Sequence, residues 1–342
     1  MQALALVETP EHVCCRYRIR AFEPALRAAG CSIAYRGLTG GLSSRLASIF
    51  ESSRFDATIL QRKLLPSWQL AILRGRARRL IFDFDDAVLY RDSYHSRGIN
   101  SPARARRFGA TVRAADLVLA GNAFLAQAAV DAGARASRVR VQPTVVDVGN
   151  YLPKSGQSQP VRLTWIGSSS TLRGIEQRRP LWERVGREVP GLAFRLICDR
   201  SADLGPLAVE HVDWAEDREA ADLAGADIGV ALVPDDLWSR GKCGLKVLQY
   251  QAAGLPVVAN PVGVQADFVR PGVDGFLAET DDEWVAAIKA LAADASLRTR
   301  LGAAGRASVE RNASVDAWST AFLGALGEPA EARASATLRC HP

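Results

Sequence analysis

Residues 238–259 run Trp238-Ser-Arg-Gly-Lys-Cys-Gly-Leu-Lys-Val-Leu-Gln-Tyr-Gln-Ala-Ala-Gly-Leu-Pro-Val-Val-Ala259. Arg240, Lys242 and Lys246 crowd the start of an expected helix, where cations oppose the helix dipole and repel one another. A placement unfavourable for folding becomes sensible if an anion binds there. Lys242 and Lys246 lie four apart, hence on one side of a helix if it has begun by then. The competing reading is a solvated loop, against which stands the apolar remainder of the segment, expected to be buried. A second pattern is Trp165-Ile-Gly-Ser-Ser-Ser-Thr-Leu-Arg173. After a strand, the backbone N–H groups of Gly167, Ser168 and Ser169 can hold a phosphate near a helix start. Arg173 can add a charge-assisted bond. Alone this pattern is weak, because any tight βα turn uses Gly and Ser.

The third feature is acidic: Asp83-Phe-Asp-Asp86. Strand alternation puts Asp83 and Asp85 on one face and Asp86 on the other. One or two such carboxylates can bind magnesium. The alternative is a helix cap and ion-pair cluster, with Arg78, Arg79 and Arg91 as partners. Arg16 and Arg18 flank Tyr17 at an expected helix start and either bind an anionic acceptor or are solvated. His95 reads as a surface residue in a polar loop, and His211 as structural.

The elements that must position these groups alternate along the chain. Strands are expected at Ala3–Val7, Ser32–Tyr35, Ala57–Leu60, Leu80–Phe84, Leu117–Ala120 and Val139–Val141, with helices at Tyr17–Ala29 and Ala123–Ala132. The polar stretch 151–160, with Pro153 and Pro160, reads as a linker. The alternation then restarts with strands at Arg162–Ile166, Ala193–Cys198, Asp227–Leu232 and Pro256–Ala259, a turn at Gly167–Thr171, and helices at Arg178–Val189, Leu245–Ala253, Asp282–Leu291, Ser296–Arg311 and Val315–Leu326. A βαβ order of this kind argues for parallel sheets covered by helices, hence an α/β chain of two doubly wound domains with a cleft between them. A length of 342 residues also favours two domains.

Bulk composition is that of a globular protein, with no apolar run long enough to span a bilayer. The opening residues read as a first strand and not a signal peptide, and the six cysteines lack metal-ligand spacing, so reduced thiols in the cytoplasm are expected. The net charge of +6 is unevenly spread. Residues 1–150 hold 22 Lys/Arg and 12 Asp/Glu, whereas residues 151–342 hold 21 and 25. The basic half suits an anionic membrane surface or a phosphorylated acceptor, or is a solvated arginine-rich surface. No nucleic-acid motif appears, and the basic residues are not interleaved with aromatics.

From Trp165 to about Leu326 the chain resembles retaining glycosyltransferases of family 4, with the GT-B architecture. Gly244–Ala259, Asn260-Pro-Val-Gly-Val264 and Val273-Asp-Gly-Phe-Leu277 carry the resemblance. In the first half, Cys15-Arg-Tyr-Arg18, Phe82–Ala87 and Gly121-Asn122 look like a bacterial branch of that family. The resemblance implies two Rossmann-like domains. Residues 1–150 would bind the acceptor and 161–313 the donor, with 151–160 as linker. A terminal helix at 314–327 would pack back on the first domain, followed by a tail at 328–342. It implies a nucleotide-sugar donor, a sugar, lipid-linked or small-molecule acceptor, no cofactor and no required divalent metal. The donor set would be Gly167, Ser168, Ser169, Arg173, Arg240, Lys242, Lys246 and Gln249. Arg173 and Lys242 would stabilise the leaving diphosphate, and Asp85 and Asp86 would serve the acceptor. The location expected is the cytoplasm, at the inner face of the membrane if the basic half binds lipid; the oligomeric state is left open. One departure stands out: the family's two glutamates, eight positions apart, are matched by Gly241 and Gln249. A non-catalytic nucleotide-sugar-binding protein and a nucleotide-sugar epimerase are the alternatives.

Overall fold

The computed structural model describes residues 1–153, 156 and 159–327. They form two compact units, each described by itself. Among the described residues, unit 1 comprises 1–91, 99–143 and 319–327. Its strands are β1 (Gln2–Val7), β2 (Ser32–Gly37), β3 (Ala57–Gln61), β4 (Leu80–Phe84), β5 (Leu117–Ala120) and β6 (Val139–Val141), ordered β2-β1-β3-β4-β5-β6 and all parallel. Helices α1 (Val13–Arg18), α2 (Glu23–Ala28), α3 (Leu42–Glu51), α4 (Ser67–Arg76), α5 (Pro102–Ala114) and α6 (Ala123–Asp131) connect them. Every residue of β3, β4 and β5 is buried. Covering both faces of a parallel sheet explains why these strands read as continuous apolar runs.

Unit 2 comprises residues 92–98 and 144–318. Its strands are β7 (Val161–Ile166), β8 (Leu192–Cys198), β9 (Ala208–Asp213), β10 (Ile228–Ala231), β11 (Val257–Ala259) and β12 (Gly275–Leu277), ordered β12-β11-β10-β7-β8-β9 and again parallel. The helices are α7 (Ser169–Gln177), α8 (Arg179–Glu188), α9 (Glu219–Ala224), α10 (Leu237–Arg240), α11 (Leu245–Ala252), α12 (Gln265–Phe268), α13 (Asp281–Ala293) and α14 (Ala295–Asn312). Its core centres on Trp165, Trp182, Phe194 and Trp284, with Trp182 edge-on to both Phe194 and Trp284. Helix α15 (Val315–Gly327) contains the division between units, which falls at Ser319. Within unit 1, Phe322 stacks on Phe22 at 4.3 Å, and Arg79 donates to the Ala325 carbonyl at 3.0 Å.

The boundary expected after residue 150 falls instead between Pro143 and Thr144. The cause is local: Val146 pairs with Ser314, and the Tyr151 hydroxyl meets Glu219. Residues 154, 155, 157 and 158 of the expected linker, and the tail 328–342, lie outside the described residues. The expected helix Tyr17–Ala29 is broken into α1, a 3-10 turn at Arg20–Phe22, and α2. Pro24 lies in the first turn of α2, where its missing N–H is tolerated; inside one long helix it would clash with the carbonyl four residues earlier. The expected turn Gly167–Thr171 is already helical from Ser169.

Two glycines fix the packing of α11, which carries Lys246. A Cβ on Gly302 of α14 would lie 1.9 Å from the Gly254 carbonyl oxygen just past α11. A Cβ on Gly229 of β10 would lie 2.4 Å from the Tyr250 ring. Backbone cannot yield as a side chain can, so Gly302→Ala should destabilise unit 2 by at least about 1–3 kcal/mol. Urea unfolding checks this, and an unchanged midpoint would mean the helices separate freely. Among the described residues no helix is long and apolar enough to cross a membrane.

Candidate donor and acceptor sites

In unit 2 the chain leaves β7 toward β8 on one side and later returns to β10 on the other. The loops after β7 and β10 therefore diverge at the carboxyl edge, the place where open α/β sheets hold ligands. The ladder between these strands stops early, with Gly229 opposite Thr164 as its last pair. Beyond it the buried Tyr250 takes over. Its hydroxyl accepts from the Ile166 N–H at 3.1 Å and donates to the Val230 carbonyl at 3.2 Å. Burial pushes its phenol pKa up, so it keeps the proton. Tyr250 thus bonds one N–H and one carbonyl beyond the end of that ladder.

On the β7 side, Gly167 lies directly over Trp165; a Cβ there would meet that ring at 2.5 Å. The Ser168 and Ser170 hydroxyls bond each other at 2.8 Å. The Ser169 N–H donates to Asp199 at 2.6 Å. Bonds from Ser169 and from the Cys198 thiol hold Asp199 down at about 2. The first turn of α7 therefore already carries a carboxylate where a phosphate was expected. Arg173 is exposed on the same helix.

On the β10 side, the helix has not begun by Lys242, so Lys242 and Lys246 do not share a helical face. Gly244 adopts φ 66°, in the left-handed region that favours glycine, and α11 begins only at Leu245. Lys242 lies before it, its Nζ 5.8 Å from the Trp238 ring centre, whereas Lys246 lies in the first turn with Nζ 5.1 Å over Trp165. That second contact ties the start of α11 to the end of β7. Arg240 is not at a helix start: it ends α10, where the dipole favours a cation, and grips Asp235 through two bonds of 2.7 and 3.1 Å. Gly241 closes α10 through its N–H to Trp238. Gln249 is 3% exposed and points into the unit. Its amide donates to Tyr151 Oη at 3.4 Å, which leads to Glu219 and on to the Trp214 indole.

In unit 1 the switch lies between β1 and β3. The acidic cluster divides there. Asp83, 1% exposed, receives Arg18 Nε at 3.0 Å on both oxygens, Arg18 Nη2 at 2.5 Å and Gln61 Nε2 at 3.0 Å. Arg18 also donates to the Gln142 carbonyl at 2.8 Å. Arg18 is thus neither solvated nor placed for an acceptor, while Arg16 stacks on Tyr17 at 4.4 Å. Asp85 and Asp86 belong to a different arginine: Arg62 lies 3.3 Å from Asp85 and 2.5 Å from Asp86 and also contacts the Cys14 sulfur. The expected partners are engaged elsewhere; Arg78 pairs with Asp56 and Arg79 meets the Ala325 carbonyl. No helix follows Asp86 for it to cap, since α5 starts at Pro102.

Arg62 was invisible in the sequence as a site residue. It follows β3 at φ 57°, the only non-glycine with positive φ among the described residues. Such strain persists only where surroundings enforce it. Burial opposes its charge, but Asp85 and Asp86 outweigh burial and hold it above the ordinary arginine value. Nearby, Lys63 pairs with Glu8 at 3.0 Å. His12 caps α1 by accepting from the Cys14 N–H at 3.2 Å, and burial, then Arg62, pushes its pKa down. His211 bonds the Cys198 carbonyl from β9, and His95 accepts from Arg97 N–H in a turn. Among the described residues no group of three or more His, Cys, Asp or Glu is placed to hold a metal ion.

Residues 184–294 match the family model of glycosyl transferases group 1. No curated protein matches the sequence. Among solved structures, sucrose-phosphate synthase from Thermosynechococcus elongatus superposes with a TM-score of 0.71 at 17% identity, covering 94% of this chain and 97% of that one. Anabaena HepE in complex with UDP-glucose gives 0.69 at 17%, covering 95% and 99%. The lipopolysaccharide outer core galactosyltransferase WaaB gives 0.65 at 13%, covering 95% and 99%. The chain has the two-unit α/β architecture of GT-B proteins, and its residues 184–294 are similar to the group 1 glycosyl transferases.

Proposed function

We propose that this chain moves a sugar from a nucleoside-diphosphate sugar to an acceptor hydroxyl, with retention at the anomeric carbon, as a family 4 member of hexosyltransferase type. The carrying observation is the cationic rim at the switch point of unit 2, where Lys246 over Trp165 joins the two diverging loops. Two of the similar structures support a uridine nucleotide as the first donor to try, since HepE is described with UDP and with UDP-glucose. In this reading Lys246, Lys242 and Arg173 meet the diphosphate, and Arg240 joins them by exchanging Asp235 for phosphate. The bond from the anomeric carbon to the phosphate oxygen breaks as the bond to the acceptor oxygen forms. The acceptor proton passes to the leaving phosphate, so no protein base is needed. Preorganised cations aimed at the growing charge supply the main stabilisation, and no divalent metal is required. Asp85 and Asp86, held by Arg62, receive acceptor hydroxyls. The acceptor is a sugar, a lipid-linked sugar or a small molecule, met in the cytoplasm and, through the basic half, at an anionic membrane.

The test is incubation with a panel of nucleotide sugars, following nucleoside diphosphate release with and without acceptors and reading the product's anomeric configuration by NMR. Inverted product would overturn retention. Asp86→Asn should slow acceptor-dependent release while leaving diphosphate binding intact. A second reading, a non-catalytic nucleotide-sugar-binding protein, is favoured by the inward-turned Gln249 and the side-chain-free Gly241. Clear binding with no release across the panel would select it, and a donor epimerised at C2 would select an epimerase.

A further inference from the structure

Residues Asp92–Gly98 lie between β4 and α5 in sequence, yet they belong to unit 2. The segment is tightly turned. Tyr94 N–H donates to the Asp92 carboxylate at 3.0 Å, His95 N–H to the Asp92 carbonyl at 3.1 Å, and Gly98 N–H to the His95 carbonyl at 2.9 Å. From this turn two side chains reach the loops that flank the switch point. Ser93 Oγ lies 3.2 Å from Ser239 Oγ on α10, and Ser239 is 1% exposed. The Tyr94 hydroxyl lies against Gly174 of α7, where a Cβ would come within 2.7 Å of it and 3.9 Å of the Leu232 carbonyl just past β10. Gly174 is thus the small residue that lets the phenol seat between α7 and the end of β10. Arg173 and Asp236 both act electrostatically on that phenol, though burial is the larger influence raising its pKa. One short turn therefore braces α7 and α10 together, and the residue before Gly174 is Arg173.

We propose that Asp92–Gly98 completes the donor site, with Tyr94 as a positioning residue that holds α7 so that Arg173 meets the second phosphate of a nucleoside diphosphate. This rests on the donor reading above. It assigns to the donor half a segment that the sequence places among acceptor-side residues, a few positions beyond Asp85 and Asp86. Isolated residues 144–318 would lack it.

The experiment is calorimetric titration of the full chain with UDP, GDP and ADP and with the matching monophosphates. For the base that binds, the measured quantity is the ratio of monophosphate to diphosphate Kd. Tyr94→Ala is expected to shrink that ratio about tenfold, with the monophosphate Kd changed less than about twofold. Gly174→Ala, which displaces the phenol without removing it, should reproduce the loss, and it serves if Tyr94→Ala does not fold. Tyr94→Phe keeps the ring and should retain most of the ratio. Ser96→Ala, exposed in the same turn, should retain all of it. Adding Arg173→Ala to Tyr94→Ala should cost no further ratio, because both act on one interaction. Equal weakening of both nucleotides by Tyr94→Ala would mean simple structural support and would overturn the inference, as would an unchanged ratio in both Tyr94→Ala and Gly174→Ala. If no nucleotide binds the unaltered chain, the donor reading falls and this inference with it; if nucleotides bind and only the ratio stays fixed, this inference falls alone.

Discussion

Arg18→Ala should destabilise unit 1 by about 3–5 kcal/mol, a large part of the roughly 5–15 kcal/mol that holds a domain folded. Arg18 and Asp83 are each 1% exposed and meet through three contacts. Removing the cation leaves a carboxylate deep in the unit with only the Gln61 amide described beside it. The pair also spans the fold, since Arg18 ends α1, Asp83 lies in β4, and the Gln142 carbonyl follows β6. Because the two units need not unfold together, the measurement should resolve them. Hydrogen exchange followed by peptide is expected to show β1, β4 and β6 losing protection while β7 and β10 keep theirs. Replacing both partners, as Arg18→Leu with Asp83→Asn, should recover part of the loss, because no lone charge then remains buried. A change below about 1 kcal/mol in Arg18→Ala would mean the pair does not organise the unit.

Lys246→Met should separate binding from folding. In the first turn of α11 the ammonium opposes the helix dipole, at a cost of about 0.3–1 kcal/mol. Its seat over Trp165 returns a similar amount, about 0.5–1 kcal/mol for a half-exposed cation on an aromatic face. The ligand-free protein should therefore change stability by less than about 1 kcal/mol. Loss of a charged hydrogen bond to phosphate, at about 1.5–3 kcal/mol, would weaken nucleoside diphosphate binding roughly tenfold to 150-fold. Lys242→Ala should lose less, since Lys242 stands over Trp238 in the preceding loop and not at the joined edge of β7. Titration calorimetry with a thermal melt of the same samples reads both quantities. Unchanged affinity in Lys246→Met would remove this lysine from the donor site.

Much of the fold was legible because buried parallel strands are short apolar runs between helices; β3, β4, β5, β10 and β11 all announce themselves this way. What escaped did so for physical reasons. Strand β9 lies at the sheet edge with its residues partly exposed, so Ala208–Asp213 carries too little apolar signal. Helix α5 is rich in arginine and buries only Phe108, Gly109, Thr111 and Val112. The start of α7 hid behind serines that favour turns and caps as readily as helices. At the sites, Lys246 was visible because its placement conflicts with the dipole of α11, whereas Arg240 and Lys242 lie outside that helix. Arg62 was not visible, because Gln-Arg-Lys after a strand resembles any surface loop until its backbone geometry is known. Nor was Tyr94, whose role depends on a segment joining the unit built mainly from the other half of the sequence. For Gln249 the residue type suits a ribose, while the structure shows its amide turned toward Tyr151.

The stacking of Phe322 on Phe22 has a consequence for how the molecule comes into being. Phe22 and Phe322 lie 300 residues apart in the chain, so translation delivers the second long after the first. At roughly 5–20 residues per second the first sheet waits on the order of 15–60 s for the helix that covers Phe22. During that interval Phe22 lacks Phe322, and nascent protein held short of Ser319 should recruit chaperones through this surface. Covering Phe22 thus waits on a helix made long after it, so damage to α15 would be registered in the sheet made before it.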